Sequence, residues 1–391
     1  MAERRLRLGV AGLGRGFMLM LPTLRAHPRV SLVAAADPRA EALRQFEADF
    51  GGRTHDTVQA LCDDAEVDAI YVATPHELHA EHAVAAARAG KHVLVEKPMA
   101  ISLAECDAMI DAARDAGVML IVGPSHSFDA PIARTRALID TGAFGRVRMI
   151  TALNYTDFLY RPRRPEELDT RLGGGVVFSQ GAHQVDVARL LAGSPVRSVR
   201  AVTLAWDAAR PTEGAYTALL TFDDGACASL TYSGYAHFDS DQLMGWVGEM
   251  GHRKDPARYW STRATTLHAG SPAAEAALKN ARAYGATATA RAAPVAHSHF
   301  GMVIVSCDHA DLQPMPDGVH VHGDDCRRVE PLPTPTVPRA EVVDELWEAV
   351  AEGRAPVHSG EWARDTLAVA LAILDSGREG REVAPARRAV P

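Results

Sequence analysis

The chain has 391 residues, 47% of them apolar and 23% charged, with a formal net charge of −8. That length exceeds one ordinary core and implies two domains; the composition excludes a disordered chain, and the acidic balance argues against a nucleic-acid surface. Five scattered cysteines form no C-x-x-C pair, and no segment reads as a signal peptide or a membrane span, so the expectation is a cytoplasmic protein working on a small molecule.

The first part of the chain alternates strand and helix. Leu6–Ala11 is an apolar strand, followed by glycines and a helix near Phe17–His27. Val30–Ala36 is a second strand ending at Asp37-Pro38, and Pro38 suits the first turn of the helix that continues through Ala40–Phe50. Ala69–Thr74 is a strand, Glu77–Ala89 a helix stopped by Gly90, and His92–Val95 another strand. Ser102 caps a helix to Ala116, with Glu105 completing a capping box; Gly117 ends it before the strand Met119–Val122. Strands that are continuously apolar are buried on both faces, which predicts a doubly wound parallel sheet, a Rossmann domain over residues 1–124.

From residue 125 to 391 the pattern changes. A helix near Pro131–Thr141 leads to strands Arg146–Asn154, Arg197–Trp206, Ala215–Phe222 and Ala226–Tyr235, with Asp224-Gly225 as a hairpin turn. This predicts an α+β domain with an open, mainly antiparallel sheet that completes a substrate site. Residues 265–295, rich in Ala, Gly and Thr, read as an irregular insertion. Helices near Ala340–Glu352 and Glu361–Gly377 close the fold, and residues 383–391 read as a loose tail.

Gly12-Leu13-Gly14-Arg15-Gly16-Phe17 lies between the first strand and helix. Glycines there allow a tight turn and close approach of a pyrophosphate to helix N–H groups. Phe17 stands where the fingerprint expects Gly or Ala, and Gly16 comes one place early. Asp37, a little over twenty residues on, suits the adenosine ribose and favours NAD over NADP; nearby Arg39 keeps NADP possible. Asp37 also reads as a helix N-cap. Ala73-Thr74-Pro75-His76, with His79, and Glu96-Lys97-Pro98 follow successive strands, where ligands bind such sheets. Lys97, partly desolvated beside cofactor charge, is the candidate proton carrier.

A second cluster is Gly173-Gly174-Gly175 followed by Ser179, Gly181, His183 and Asp186. Spacings of four and seven place Ser179, His183 and Asp186 on one helical face, with His183 suited to proton transfer near neutrality. His297, His299, Cys307, His309, His320 and His322 form a histidine-rich stretch; its spacings match no compact zinc motif, and no metal is expected.

With these three motifs in this order, the chain resembles the glucose–fructose oxidoreductase/inositol dehydrogenase/rhizopine catabolism family over nearly its whole length. The resemblance implies that Lys97 is catalytic, that His183 exchanges the substrate proton, and that the antiparallel sheet mediates a homo-oligomer, a dimer or tetramer. The family often has Asp where this chain has Ser179, which argues against the usual sugar or inositol contact. The run Thr156–Pro165 and the stretch from His297 to Leu312 look like the phthalate 4,5-cis-dihydrodiol dehydrogenase branch. Arg161, Arg163 and Arg164 in that run would offer bidentate donors to substrate carboxylates, with Tyr155 just ahead of them. The alternatives carried from the residues are a sugar or inositol dehydrogenase on the same fold and a cofactor-binding sensor without turnover.

Overall fold

A computed structural model of the protein describes residues 5–235, 237–258, 271–286 and 293–388. The chain divides into two compact units. The first comprises the described parts of residues 1–124, 277–291 and 337–364; the second comprises those of 125–276, 292–336 and 365–391. A single division at residue 125 thus needs correction, because two later segments cluster with the first unit.

The first unit is built on strands β1 (Leu6–Ala11), β2 (Val30–Ala36), β3 (Arg53–His55), β4 (Ala69–Val72), β5 (His92–Val95) and β6 (Leu120–Val122). They pair in parallel in the order β3-β2-β1-β4-β5-β6. Helices α1 (Arg15–Ala26), α2 (Ala40–Phe50), α3 (Val58–Cys62), α4 (His79–Arg88) and α5 (Leu103–Ala116) connect them. Every residue of β4 and of β6 is buried, the pattern of a sheet covered on both faces. Ser102 and Glu105 form the expected capping box on α5, and Gly117 ends it with φ +66. β3 and α3 were not expected; three strand residues and one and a half turns of helix are too short for periodicity to register.

The second unit opens with α6 (Ala130–Asp140), β7 (Val147–Tyr155) and α7 (Ala182–Ala192), the last preceded by a π-helical turn at Val177–Gly181. Strands β8 (Val196–Leu204), β9 (Ala215–Phe222) and β10 (Cys227–Ser233) follow. Helix α8 (Pro272–Asn280) replaces part of the expected irregular insertion, whose residues 265–270 and 287–292 lie outside the described ones. Strands β11 (Met302–Cys307), β12 (Ala310–Met315), β13 (Gly318–Gly323) and β14 (Arg327–Pro331) complete an eight-stranded sheet in the order β14-β13-β12-β11-β7-β10-β9-β8. All its pairs are antiparallel except β7 with β10. Pro314 stands inside β12, yet β12 pairs with β11 only at Leu312 and Asp311, so its missing N–H breaks no bond on that side.

The chain closes with α9 (Ala340–Glu352) and α10 (Gly360–Glu379). The expected loose tail is tied at its start, because Val383 exchanges both backbone hydrogen bonds with Val199; residues 389–391 lie outside the described ones. Among the described residues no helix is long and apolar enough to cross a membrane.

Candidate active site

In the first unit the turn after β1 is shaped by Gly12. Its φ is +92, and a Cβ there would lie 2.9 Å from the Ala73 carbonyl oxygen. Only glycine allows both the conformation and the approach. A Cβ at Gly14 would meet nothing within 4 Å, so the turn presents an open face. Helix α1 starts there with no side-chain cap and no acid in its first turn, which leaves its amides and positive dipole end for an anion. These residues fit a dinucleotide pyrophosphate. Gly16 serves a different purpose. A Cβ there would meet Glu96 at 3.1 Å, so its early position makes room for that side chain. Phe17 is a correction. Its ring is fully buried and meets Tyr284 edge-on at 5.2 Å between centroids, so it fills the core and does not line the cradle.

At the end of β2, Asp37 accepts from the Leu13 N–H at 2.7 Å and from the Arg39 N–H at 2.9 Å. The Arg39 guanidinium adds Nε at 2.9 Å and Nη2 at 3.0 Å. Four donors match the four acceptor directions of a carboxylate. Asp37 is therefore clasped by Arg39, an arrangement that the chain position alone does not reveal.

The strand-end loops behave as a unit. Buried His79 has Nδ1 at 2.9 Å from the Pro98 carbonyl and Nε2 at 2.9 Å from that of Thr74. It braces the loop after β4 against the loop after β5 and is not free to touch a ligand, which corrects its expected role; burial depresses its pKa. Thr74 Oγ1 meets His82 Nδ1 at 3.0 Å. Pro75 is exposed, and His76, Arg15 and Lys97 are half-buried. Glu96 accepts from the Tyr71 hydroxyl, and burial raises its pKa. Its neighbour Lys97 thus follows a strand end held through the Glu96 side chain by Tyr71 and through the Pro98 carbonyl by His79.

In the second unit His183 lies on α7, and the glycine run explains the start of that helix. Gly175 has φ +85, and a Cβ there would overlap the Glu213 carboxylate at 2.1 Å. Glu213 accepts from the Val177 N–H at 3.2 Å, a carboxylate at a helix N-terminus. The π turn adds a residue to the repeat, so Ser179 is not in the simple α-helical register with His183. Ser179 is half-buried, whereas His183 and Asp186 are buried. Asp186 accepts from Ser127 Oγ and, at 3.1 Å, from Thr366 Oγ1; its carboxylate is spent inside the fold, a correction to its expected substrate contact.

Around His183 the structure gathers residues that the motifs did not mark. His126 stands T-shaped to it at 4.7 Å, and Phe300 lies 4.8 Å from each ring. His183 Nδ1 lies 3.4 Å from both Ser125 Oγ and the His126 N–H. Accepting from that amide puts the proton of a neutral ring on Nε2. His126 Nδ1 is 2.6 Å from Asp129, and its Nε2 is 3.4 Å from Glu249. Arg161 reaches Glu249 at 3.2 Å and Asp157 at 2.7 Å. Burial works against the His126 imidazolium, but Asp129 and Glu249 outweigh it and raise its pKa. Burial likewise works against the Glu249 carboxylate, and Arg161 and His126 drive its pKa well down. The cluster is a chain of alternating charges, Arg161–Glu249–His126–Asp129, with His183 and Phe300 packed against its His126 ring.

Arg163 is a correction. Its guanidinium lies 3.7 Å over the Phe158 ring and donates twice to the Phe158 carbonyl, at 2.8 and 3.2 Å. Burial lowers its pKa to about 10. It stiffens the loop and has little left for a ligand, while Arg161 remains partly exposed. Tyr155 meets Phe238 edge-on at 5.6 Å. The histidine-rich stretch is mostly committed to the chain: His297 bonds the Pro333 carbonyl, His299 the Val247 carbonyl, and His320 Asp317. The signal for His126 was available: it follows β6, and the strand-end rule that selects Thr74 and Lys97 selects Ser125-His126 too. Glu249 has no local signal, because only the fold brings it there.

A family model described as "Oxidoreductase family, NAD-binding Rossmann fold" matches residues 6–124, and one described as "GFO/IDH/MocA C-terminal domain" matches residues 132–252. The 1-carboxy-3-chloro-3,4-dihydroxycyclohexa-1,5-diene dehydrogenase of Comamonas testosteroni is 50% identical over 377 residues, 95% of each chain. A solved structure described as a dehydrogenase from Bordetella bronchiseptica RB50 is 40% identical, with a TM-score of 0.92 over 97% of this chain and all of that one. WlbA from Bordetella pertussis, solved with NADH and UDP-GlcNAcA, shares the fold at 22% identity and a TM-score of 0.68 over 97% of this chain and 99% of its own. Two domain models matched in order, and a dihydrodiol dehydrogenase alike from end to end, place the chain in the Gfo/Idh/MocA family as an NAD-dependent oxidoreductase.

Proposed function

We propose that the substrate is a cis-dihydrodiol of a carboxylated aromatic ring, with the 4,5-cis-dihydrodiol of phthalate as the member to test first and 4,5-dihydroxyphthalate as its product. The observation that carries this reading is the identity of half the residues to an enzyme named for a carboxylated dihydroxycyclohexadiene. Arg161 supports it as a partly exposed cation whose two acidic partners hold it in place. Because Arg163 is spent inside its loop, the second carboxylate of a phthalate-type substrate would need a donor other than that residue. A monocarboxylated dihydrodiol is therefore the close competitor within the same class.

In this reading Lys97 Nζ takes the proton of the carbinol hydroxyl, and the Nε2–H of His183 holds the neighbouring oxygen. The bound cofactor supplies the hydride acceptor at the carbinol carbon, with Gly12, Gly14 and the α1 amides holding its phosphates. The resulting ketone then tautomerises, the neighbouring carbinol carbon losing its C–H proton and the carbonyl oxygen gaining one, to give the aromatic diol, and aromatisation drives the reaction forward. Ser179 leaves a polyol without the carboxylate partner that an aspartate would give it, which disfavours the sugar or inositol reading.

We further infer a homo-oligomer. One face of the eight-stranded sheet exposes Met149, Val202, Leu204 and Leu219, each more than two-fifths accessible, and a second copy would cover it. The five cysteines are all unpaired, which suits a reducing cytoplasm.

The test is NADH formation with purified protein, NAD⁺ and four substrates in parallel: the phthalate dihydrodiol, a monocarboxylated dihydrodiol, inositol and glucose. Turnover confined to the carboxylated dihydrodiols supports the proposal, and their ratio reads the carboxylate preference. Turnover of a polyol alone refutes it. Silence on all four overturns the proposed substrate class and makes the cofactor-binding sensor the next reading to test.

A further inference from the structure

The turn that follows α8 belongs to the first unit and is docked on its cofactor-binding half. The Tyr284 N–H donates to the Leu13 carbonyl at 3.1 Å. Its ring covers Phe17, and its hydroxyl donates to Asp49 at 2.6 Å and to the Gln45 carbonyl at 3.2 Å, both on α2. Gly285, with φ +79, brings the backbone so close that a Cβ would lie 2.9 Å from Ala42 Cα. This docking delivers one further group: the Tyr284 carbonyl accepts from Arg39 Nη1 at 3.1 Å. Arg39 Nη2 also donates to the Leu13 carbonyl at 2.9 Å, beside the two guanidinium bonds to Asp37. Four of the five guanidinium N–H groups are therefore committed.

We propose that Tyr284 is a positioning residue for cofactor choice, clamping Arg39 flat against Asp37 so that its guanidinium is withheld from a ribose 2′-phosphate. An arginine near the end of the second strand is the group that can accept such a phosphate. Held as it is, it offers one spare N–H, and the incoming dianion also faces Asp37. The preference for the unphosphorylated dinucleotide thus depends on a segment some 245 residues away in sequence, as well as on the acid at the strand end. Freeing Arg39 would help both cofactors, since Asp37 would also become available to the ribose. The phosphorylated one gains more, because a bidentate guanidinium–phosphate pair is roughly twice as strong as a hydrogen bond from a neutral hydroxyl.

The test is calorimetric titration of the purified full chain with NAD⁺ and with NADP⁺, in the absence of substrate. Tyr284→Ala, which removes the ring contact and the hydroxyl anchor, should move the ratio of the two Kd values toward NADP⁺ by about tenfold. Tyr284→Phe, which loses only the hydroxyl, should move it the same way by a smaller factor and keeps the test open if the alanine variant melts early. In Arg39→Ala/Tyr284→Ala the gain should vanish. A folded Tyr284→Ala protein with an unchanged ratio, an unchanged ratio in Tyr284→Phe, or a gain that persists without Arg39 would each overturn the proposal.

Discussion

The phosphate turn in the first unit and the histidine cluster in the second are built from different materials. The turn is backbone: a glycine at φ +92 and an uncapped helix start. The cluster is side chain: four charges in alternation and two imidazole rings against one phenyl ring. A site made of amides and a helix dipole has no group that titrates near neutrality, so it holds an anion evenly across pH. A site made of buried ionisable groups is tuned by each of its neighbours. The difference predicts that damage to the turn appears in cofactor affinity, whereas damage to the cluster appears in turnover and in its pH profile.

The sharpest way to break that division is Lys97→Ala. We expect turnover to fall about a thousandfold, the scale of a lost positioned proton carrier, with the Kd for NAD⁺ nearly unchanged. Stopped-flow rates beside a cofactor titration check it; a large loss of NAD⁺ affinity would move Lys97 from the chemistry to the cradle. His183→Asn should cost roughly a hundredfold in turnover with cofactor affinity again intact, read in the same two assays. Gly12→Ala should do the reverse. Forcing a side chain into that conformation against the Ala73 carbonyl costs about 1–3 kcal/mol, seen as a lower Tm, and the Kd for NAD⁺ should rise while the pH profile of any residual activity stays in place.

The smallest effect is the most diagnostic of the cluster. His126 has a raised pKa, so its stabilisation is complete below the unfolded value of about 6.5 and fades as pH rises through the folded value. Glu249→Gln removes part of what raises it. The Tm gap between wild type and this variant should therefore be widest near pH 6, and narrow by about 2 °C toward pH 9. A gap that is flat in pH would mean that Glu249 holds Arg161 alone and that His126 does not share its charge.

How far the molecule could be read in advance follows the same division. β1, β2, α2 and β5 announce their own bounds, because buried parallel strands and a capped amphipathic helix are local patterns. The glycines, Asp37, Lys97 and His183 stand out by spacing. Local pattern could not show that Asp37 is already clasped by Arg39, that Arg163 is folded onto Phe158, or that Asp186 faces Thr366 across 180 residues of sequence. Strand β12 was hidden because Pro314 interrupts it and β14 because its charged residues leave no apolar period, whereas β11, an apolar run, and β13, which alternates Val and His, carried a local signal that was missed. Glu249 was invisible because nothing within its own stretch requires it; Arg161 and His126 do, and they come from distant segments.

The most direct measurement of the central claim is the initial rate of NADH appearance from NAD⁺ and the phthalate 4,5-cis-dihydrodiol, run side by side for the wild type, Lys97→Ala and His183→Asn, with the aromatic diol quantified as product. The wild type should give one equivalent of NADH per aromatic diol, and the two variants a near-complete loss of both at saturating cofactor. Wild-type turnover that survives in both variants, or NADH formed without aromatic diol, would contradict it.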